Sequence, residues 1–251
     1  MSIAIVTGAS SGIGAEFCRR LDEKGLDCIW MIARRTELLQ NISSTLDTPT
    51  RIFSVDLSDR ESLSSFNSLI EKEGPSISYL VNCAGLGKFG KTWEISDEST
   101  LSMIDLNITA LVEITRTCIP FMKKGGHIIE FCSESAYIPL YELNVYASTK
   151  AFVRHFCGGL RHELKDREVS VTEVSPGWVQ TDFIEKSMSE NNAPKKVFNN
   201  VVTKEDVVED ALRCAEKGKA RSVCGWKNKA IVVIGTHCPN FASKIWRSNF
   251  D

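Results

Sequence analysis

Tyr146-Ala147-Ser148-Thr149-Lys150 places a phenol and an ammonium four residues apart, which puts them on one face of any helix that contains them. A free phenol titrates near pH 10 and exchanges protons poorly at neutral pH. A neighbouring ammonium favours the phenolate and draws that value toward the working range, so the pair has the makings of a general acid and base. Alone, the spacing is common on helix surfaces. A second cluster gives it meaning: Thr7-Gly8-Ala9-Ser10-Ser11-Gly12-Ile13-Gly14 follows an apolar run and opens into a helical pattern. In such a turn Gly8 permits the tight bend, Gly12 lets the backbone approach a pyrophosphate, and Gly14 allows close helix–strand packing. Unpaired N–H groups and the helix dipole then attract phosphate. No Gly-Lys-Ser/Thr ending follows, which argues against a nucleotide triphosphatase loop. The third cluster is Ala33-Arg34-Arg35, at the end of the next apolar run, where NAD-selective sites carry an acid for the ribose 2′-hydroxyl. Guanidinium groups there pair with a 2′-phosphate instead, and NADP(H) is the expected cofactor.

These clusters need strands that end beside one another. Apolar runs at Ile3–Val6, Cys28–Ala33, Ile52–Val55, Tyr79–Asn82, Ile128–Cys132, Val169–Val174 and Ala230–Ile234 read as strands. Helical spacing covers Ala15–Lys24, a stretch through Leu46, Ser58–Lys72, Ser99–Lys123, Val145–Leu164 and Lys204–Lys217. Strands alternating with helices predict an α/β fold whose parallel sheet is covered on both faces. The polar, weakly periodic segment 181–203 is the expected substrate loop, and 236–251 an amphipathic tail. One domain over 1–251 is expected.

The ordered series of the Thr7–Gly14 turn, Asn82-Cys83-Ala84-Gly85, Asn107, Ser133, Tyr146 with Lys150, and Pro176-Gly177 followed by Thr181 resembles the short-chain dehydrogenase/reductase family. The resemblance spans about residues 3 to 182, and Ser133 stands thirteen residues before Tyr146, the family's usual interval. It implies a Rossmann-type doubly wound sheet of about seven strands. It also implies that Tyr146 is the acid or base at a carbonyl, that Lys150 lowers its pKa and binds the nicotinamide ribose, and that Ser133 donates to the substrate oxygen. Asn107 would hold a water of a proton relay. On the cofactor side it implies Gly8, Ser10, Ser11, Gly12, Ile13 and Gly14 at the pyrophosphate, and Asp56 and Leu57 at the adenine. Asn82, Ala84 and Gly85 would flank the cofactor, Pro176, Gly177 and Val179 would touch it, and Thr181 would meet the carboxamide. Asp56 as a helix cap and Asn107 as a buried helix-bending residue are the structural alternatives.

Composition narrows the rest. The chain has 251 residues, 43% hydrophobic and 25% charged, with a formal net charge of −2. Disorder is excluded, and a broad basic footprint for nucleic acid is missing. The nine cysteines form no C-x-x-C pair and sit in apolar runs, as reduced thiols of a cytoplasmic protein do. No leader is read at the N-terminus, no apolar run reaches the ~18 residues of a membrane span, and no metal-ligand spacing occurs. The expected substrate is a small apolar carbonyl or alcohol of hydroxysteroid, 3-ketoacyl or general ketone type, with Trp178, Tyr137, Tyr141 and Trp93 as candidate contacts. A protein that binds NADP(H) without turnover is the alternative. The family implies a homodimer through the 99–123 and 145–164 helices, or a homotetramer. The C-terminal part resembles the subgroup of hydroxysteroid dehydrogenases and long-chain 3-ketoacyl reductases, and its tail would pack on its own core, cover the cleft or meet a partner subunit.

Overall fold

A computed structural model describes residues 2–198 and 200–250, the side chain of Lys195 excepted. Met1 and Asp251, the ends of the expected domain, and Asn199 in the expected substrate segment lie outside the described residues. The order is β1 (Ser2–Thr7), α1 (Gly12–Asp22), β2 (Cys28–Ala33), α2 (Thr36–Ser43), β3 (Thr50–Ser54), α3 (Arg60–Glu73), β4 (Ser76–Asn82), α4 (Asp97–Ile104), α5 (Leu111–Cys118) and β5 (Met122–Phe131). It continues through α6 (Asn144–Glu163), β6 (Ser170–Val174), α7 (Phe183–Ser187), α8 (Lys204–Glu216), β7 (Arg221–Ser222), α9 (Trp226–His237) and α10 (Pro239–Arg247).

The strands form one seven-stranded sheet in the order β3-β2-β1-β4-β5-β6-β7, and every pairing is parallel. Period-two alternation divides the core between its faces. Ile3, Ile5, Leu80 and Ile128 pack with residues of α3, α5 and α6, whereas Ala4, Val6, Ile29 and Met31 pack with α1, α2 and α8. This is the Rossmann-type doubly wound arrangement. Strand order reverses between β1 and β4, and a crevice opens at their carboxyl ends, where such sheets bind ligands.

Local chemistry sets the helix ends. The Asp59 carboxylate accepts from the Ser62 N–H at 2.8 Å to start α3, which stops at Gly74 in the left-handed region. Asp56 is therefore not that helix's cap. Thr203 caps α8 by accepting from the Asp206 N–H at 3.1 Å.

Several expected elements are corrected. Ala230–Ile234 is not a strand; it lies inside α9, and the edge strand is the two-residue β7. The β-branched run misleads because α9 is apolar on both sides: Val232 and Gly235 are buried while Val233 and Ile234 are exposed. A Cβ on Gly235 would lie 2.7 Å from Ile138, so α9 packs directly on the turn after Ser133. The 99–123 helical region is broken by a π-helical turn at Asp105–Ala110 and ends with Pro120 in a short 3₁₀ turn, Met122 already belonging to β5. The helix expected through Leu46 stops at Ser43, and segment 181–203 holds α7. All nine cysteines are free; Cys238, at the α9–α10 junction, is exposed. Among the described residues no helix is long and apolar enough to cross a membrane.

Candidate active site

The glycine turn between β1 and α1 is built for close approach. Gly8 and Gly12 have φ of +68° and +57°, which side-chain-bearing residues rarely adopt. A Cβ on Gly14 would stand 2.3 Å from the Gly8 carbonyl oxygen, so that position admits no side chain. Across the turn, the Arg35 guanidinium donates to the hydroxyls of Ser10 and Ser11 at 3.1 and 2.8 Å. Arg34 approaches Asp56 at 3.5 Å, and Asp56 also accepts from the backbone and hydroxyl of Ser58. Burial works against the Asp56 carboxylate, but the Ser58 hydrogen bonds and the Arg34 charge hold it below its ordinary range. An open backbone turn beside two guanidinium groups is a donor set that fits a dinucleotide carrying an extra phosphate.

The turn forms one end of a cleft of about 720 Å³. Gly8, Ser10, Ser11, Gly12, Ile13, Gly14, Arg34, Arg35, Asp56 and Leu57 line it, as do Ala84, Gly85, Pro176, Gly177, Val179 and Thr181. Ser133, Tyr146 and Lys150 line the same cleft. Asn82 does not. Its side-chain amide points behind β4, donating to Thr115 Oγ1 and Glu130 Oε1 at 2.9 and 3.1 Å. Asn107 also lies behind the lining. Its amide oxygen accepts from the Leu86 N–H and its nitrogen donates to the Leu86 carbonyl, both at 2.8 Å, with a further bond to Thr149 at 3.0 Å. The π-helical turn carries Asn107 inward to clamp the strand-end loop. A Cβ on Gly85 would lie 3.4 Å from Asn107 Oδ1 and 3.5 Å from Lys150 Nζ, so that loop threads between the two groups.

Tyr146 and Lys150 occupy the first turns of α6 and are both buried. Lys150 Nζ donates to the Phe131 carbonyl at 2.7 Å and sits 5.8 Å from the Tyr146 ring centre. Burial pushes the Lys150 ammonium below its ordinary value. It pushes the Tyr146 phenol well above its own; Cys132 and Glu134 add to this, and hydrogen bonding with Ser133 opposes it. The lowering expected from Lys150 does not prevail, because the ammonium is turned to a carbonyl and desolvated itself. Tyr146 is thus held as a protonated phenol beside the Ser133 hydroxyl. Gly87 makes room for it: a Cβ there would stand 2.8 Å from Phe183 of α7 and 3.0 Å from the Tyr146 ring.

Glu134 was not expected. Its side chain lines the cleft next to Ser133, while its Oε2 is out of reach of solvent and unpartnered. Burial raises its carboxyl to about 7. The available signal was an acid immediately after the candidate hydroxyl in Ser133-Glu134-Ser135. The apolar end of the cleft is formed by Leu140, Leu143, Trp178, Phe183, Ile231 and Trp246. Of the four aromatic candidates only Trp178 lines it. Tyr137 is buried with its hydroxyl on Glu173, Tyr141 packs against Phe250, and Trp93 is 80% exposed. The tail does border the cleft, through Ile245, Trp246 and Asn249. Cys83 and Cys132 are held as thiols, burial pushing Cys132 up to about 11 and Cys83 well above the ordinary thiol value. His127 shares a hydrogen bond with Ser170 at 2.7 Å, far from catalysis. Among the described residues no group of three potential ligands could hold a metal ion.

A doubly wound sheet with a glycine turn, a Tyr/Lys helix and an adjoining serine in one cleft defines a nucleotide-dependent oxidoreductase fold. The sequence profile described as short chain dehydrogenase matches residues 2–192, and the chain belongs to that family. It is 35% identical over 214 residues to an NADP-dependent 3-hydroxy acid dehydrogenase of Escherichia coli K12, covering 82% of this chain and 86% of the relative. The solved closed form of a serine dehydrogenase complexed with NADP+ superposes with a TM-score of 0.74 at 31% identity, over 87% of this chain and 93% of that one. A short-chain dehydrogenase from Sphingobium yanoikuyae, in complex with NADPH, shares the fold at TM-score 0.78 and 23% identity, over 89% and 87% of the two chains.

Proposed function

We propose that this protein is an NADP(H)-dependent reductase of an apolar carbonyl, or the dehydrogenase of the corresponding secondary alcohol, with cofactor and substrate sites in one domain. The observation that carries this reading is the meeting of the Arg34–Arg35 pair, the glycine turn and Ser133–Tyr146–Lys150 on a single cleft. NADP-dependent relatives support the choice of cofactor. When bound, NADPH supplies the hydride. The chain's own residues do the rest. Tyr146, held protonated by burial, gives its proton to the carbonyl oxygen as negative charge develops there. Ser133 donates to the same oxygen and offsets that charge with a fixed dipole. Lys150, anchored on the Phe131 carbonyl beside the phenol, would bind the cofactor ribose and favour the phenolate once the proton has left. Asn107 fixes the Leu86 backbone, and so positions this group rather than touching substrate.

The 3-hydroxy acid and serine relatives favour a second substrate reading, a short carboxylate-bearing alcohol, for which Lys186 in the cleft lining would be the counter-ion. Glu134 and the aromatic walls favour the uncharged ketone. The exposed Leu101 and Ile104 of α4 and Phe152 of α6 support a dimer through those helices. The deciding experiment follows NADPH consumption with ketosteroids, 3-ketoacyl thioesters, simple ketones and 3-oxo acids. Turnover of the uncharged ketones with preference over the 3-oxo acids is expected. Tyr146→Phe should lower kcat by roughly 10²- to 10⁴-fold while the NADPH Kd stays within about twofold. Tight NADPH binding with no carbonyl reduced by the wild type would overturn the reading in favour of a cofactor sensor.

A further inference from the structure

The carboxyl-terminal helices segregate charge and apolar surface in a way the catalytic site does not require. Between residues 217 and 250 there are seven Lys and Arg residues and no Asp or Glu, in a chain whose formal net charge is −2. The remainder of the chain is therefore acidic. On α9, Trp226, Ala230 and Val233 recur at helical spacing on the outward side, with Trp226 75% and Val233 59% exposed. Exposed Lys227 and Lys229 flank that stripe on opposite sides. On α10, Phe241 and Ile245 lie one turn apart and are 59% and 53% exposed, with exposed Lys244 and Arg247 beside them. Ala242 is buried, and Trp246 is fixed inward by donating to the Tyr141 carbonyl at 2.8 Å. The helices are thus anchored by one side and present large apolar groups on the other. Arg247 also lies over the Tyr141 ring, and Lys229 faces the Asp210 carboxylate of α8, which the Arg213 guanidinium and the Ser222 hydroxyl already bind.

Aromatic and branched side chains bordered by lysine and arginine are what lets a helix lie in a lipid headgroup layer, its apolar groups entering the acyl boundary while its cations meet phosphate. We propose that the α9–α10 surface docks this protein on a bilayer containing anionic lipid, lying in the plane of the interface. Charge decides the occupant. A second copy meeting this face about a twofold axis would bring two surfaces of net positive charge together. Duplex nucleic acid would answer the cations but leave Trp226, Val233, Phe241 and Ile245 against a polar backbone. The placement also has a use: Ile234 and Ile245, exposed on this surface, line the cleft as well, so docking sets an apolar entrance against the lipid. That gives an apolar substrate a route which avoids water.

The test is flotation of the full-length protein with vesicles of phosphatidylcholine alone and of phosphatidylcholine with phosphatidylglycerol at about 3:1, at low and high salt. Binding to the anionic vesicles, weakened at least tenfold by high salt or by the Lys227→Glu/Lys229→Glu/Lys244→Glu variant, is expected. Trp226→Ser should also weaken it, and remove most of a blue shift in tryptophan emission on binding. Each variant is checked for an unchanged NADPH Kd, which the surface does not touch. Absence of anionic-vesicle binding would overturn the proposal, as would equal binding to both vesicle types with no effect of charge reversal. Two further results would do the same: binding to a 20-base-pair duplex in place of vesicles, or a vesicle-inert protein whose oligomer falls apart in the charge-reversed variant.

Discussion

The cleft joins two halves made by different means. The cofactor half is a matter of backbone: positive φ at Gly8 and Gly12, a position 14 where any Cβ collides with a carbonyl, and the Arg35 guanidinium laid on two serine hydroxyls. The substrate half is side-chain packing contributed by α6, α7, α9, α10 and their flanking segments, with Leu143, Trp178, Phe183, Ile231 and Trp246 meeting from distant parts of the chain. Backbone requirements restrict residue type to nearly one choice per position. Apolar packing accepts many solutions of similar volume. A ligand whose chemistry is fixed can be held by the first kind of surface, while the second can change substrate without disturbing it.

Four variants sharpen or break this contrast. The largest effect is expected of Gly14→Ala, where a methyl 2.3 Å from the Gly8 oxygen must displace the turn. NADPH affinity should fall by more than about 100-fold and the melting temperature should drop, overpacking costing about 1–3 kcal/mol. An unperturbed NADPH titration would show that the turn is not built on backbone contact. Arg35→Ala comes next. Removing one charge-assisted contact of about 1.5–3 kcal/mol should raise the NADPH Kd roughly 10- to 100-fold and leave NADH binding unchanged. Equal losses for both cofactors would show that Arg35 serves the turn rather than a 2′-phosphate.

Glu134→Gln tests the substrate half. As pH rises through about 7 the Glu134 carboxyl ionises, and its charge opposes negative charge developing at the carbonyl near Tyr146. Wild-type carbonyl reduction should decline severalfold above that pH, and the variant's profile should stay flat; a matching decline in both removes Glu134 from the chemistry. The smallest effect belongs to Glu130→Gln, behind the cofactor half. Burial raises the Glu130 carboxyl to about 7, with hydrogen bonds from Thr115 and Asn82 opposing this. The folded state thus holds a proton that the unfolded chain, with its lower carboxyl pKa, releases. Its contribution to stability is fully present below about pH 4.5 and is lost as pH rises through about 7. Glu130→Gln should be more stable than wild type at pH 8 by on the order of 1–3 kcal/mol, and nearly equal to it at pH 5, in paired urea melts. Identical curves at both values would mean that Glu130 titrates normally.

The two halves also differed in what the residues disclosed. Gly8, Gly12 and Gly14 are legible because few other side chains can stand there, and the Tyr146–Lys150 spacing survives because both fall on one helix. The direction of the Asn82 side chain was not legible: it turns on Glu130 and Thr115, acid and hydroxyl partners contributed by β5 and α5. The last expected strand, Ala230–Ile234, is a helix for a related reason. A β-branched run carries no sign of which neighbours will cover it, and there the turn after Ser133 covers one side of a helix. In the sequence Glu134 is only an acid after Ser133, since its significance is a burial that the folded cleft creates.

The thiols have a practical consequence. Of the nine, Cys238 alone is exposed; Cys83 and Cys224 are half-buried, the remainder are buried, and burial makes both half-buried thiols harder to ionise. A maleimide dye should therefore react first at Cys238, in the unmodified natural chain. It would report from the junction of the two helices that border the substrate entrance, and ligand entry there could be followed optically while the cofactor half stays dark.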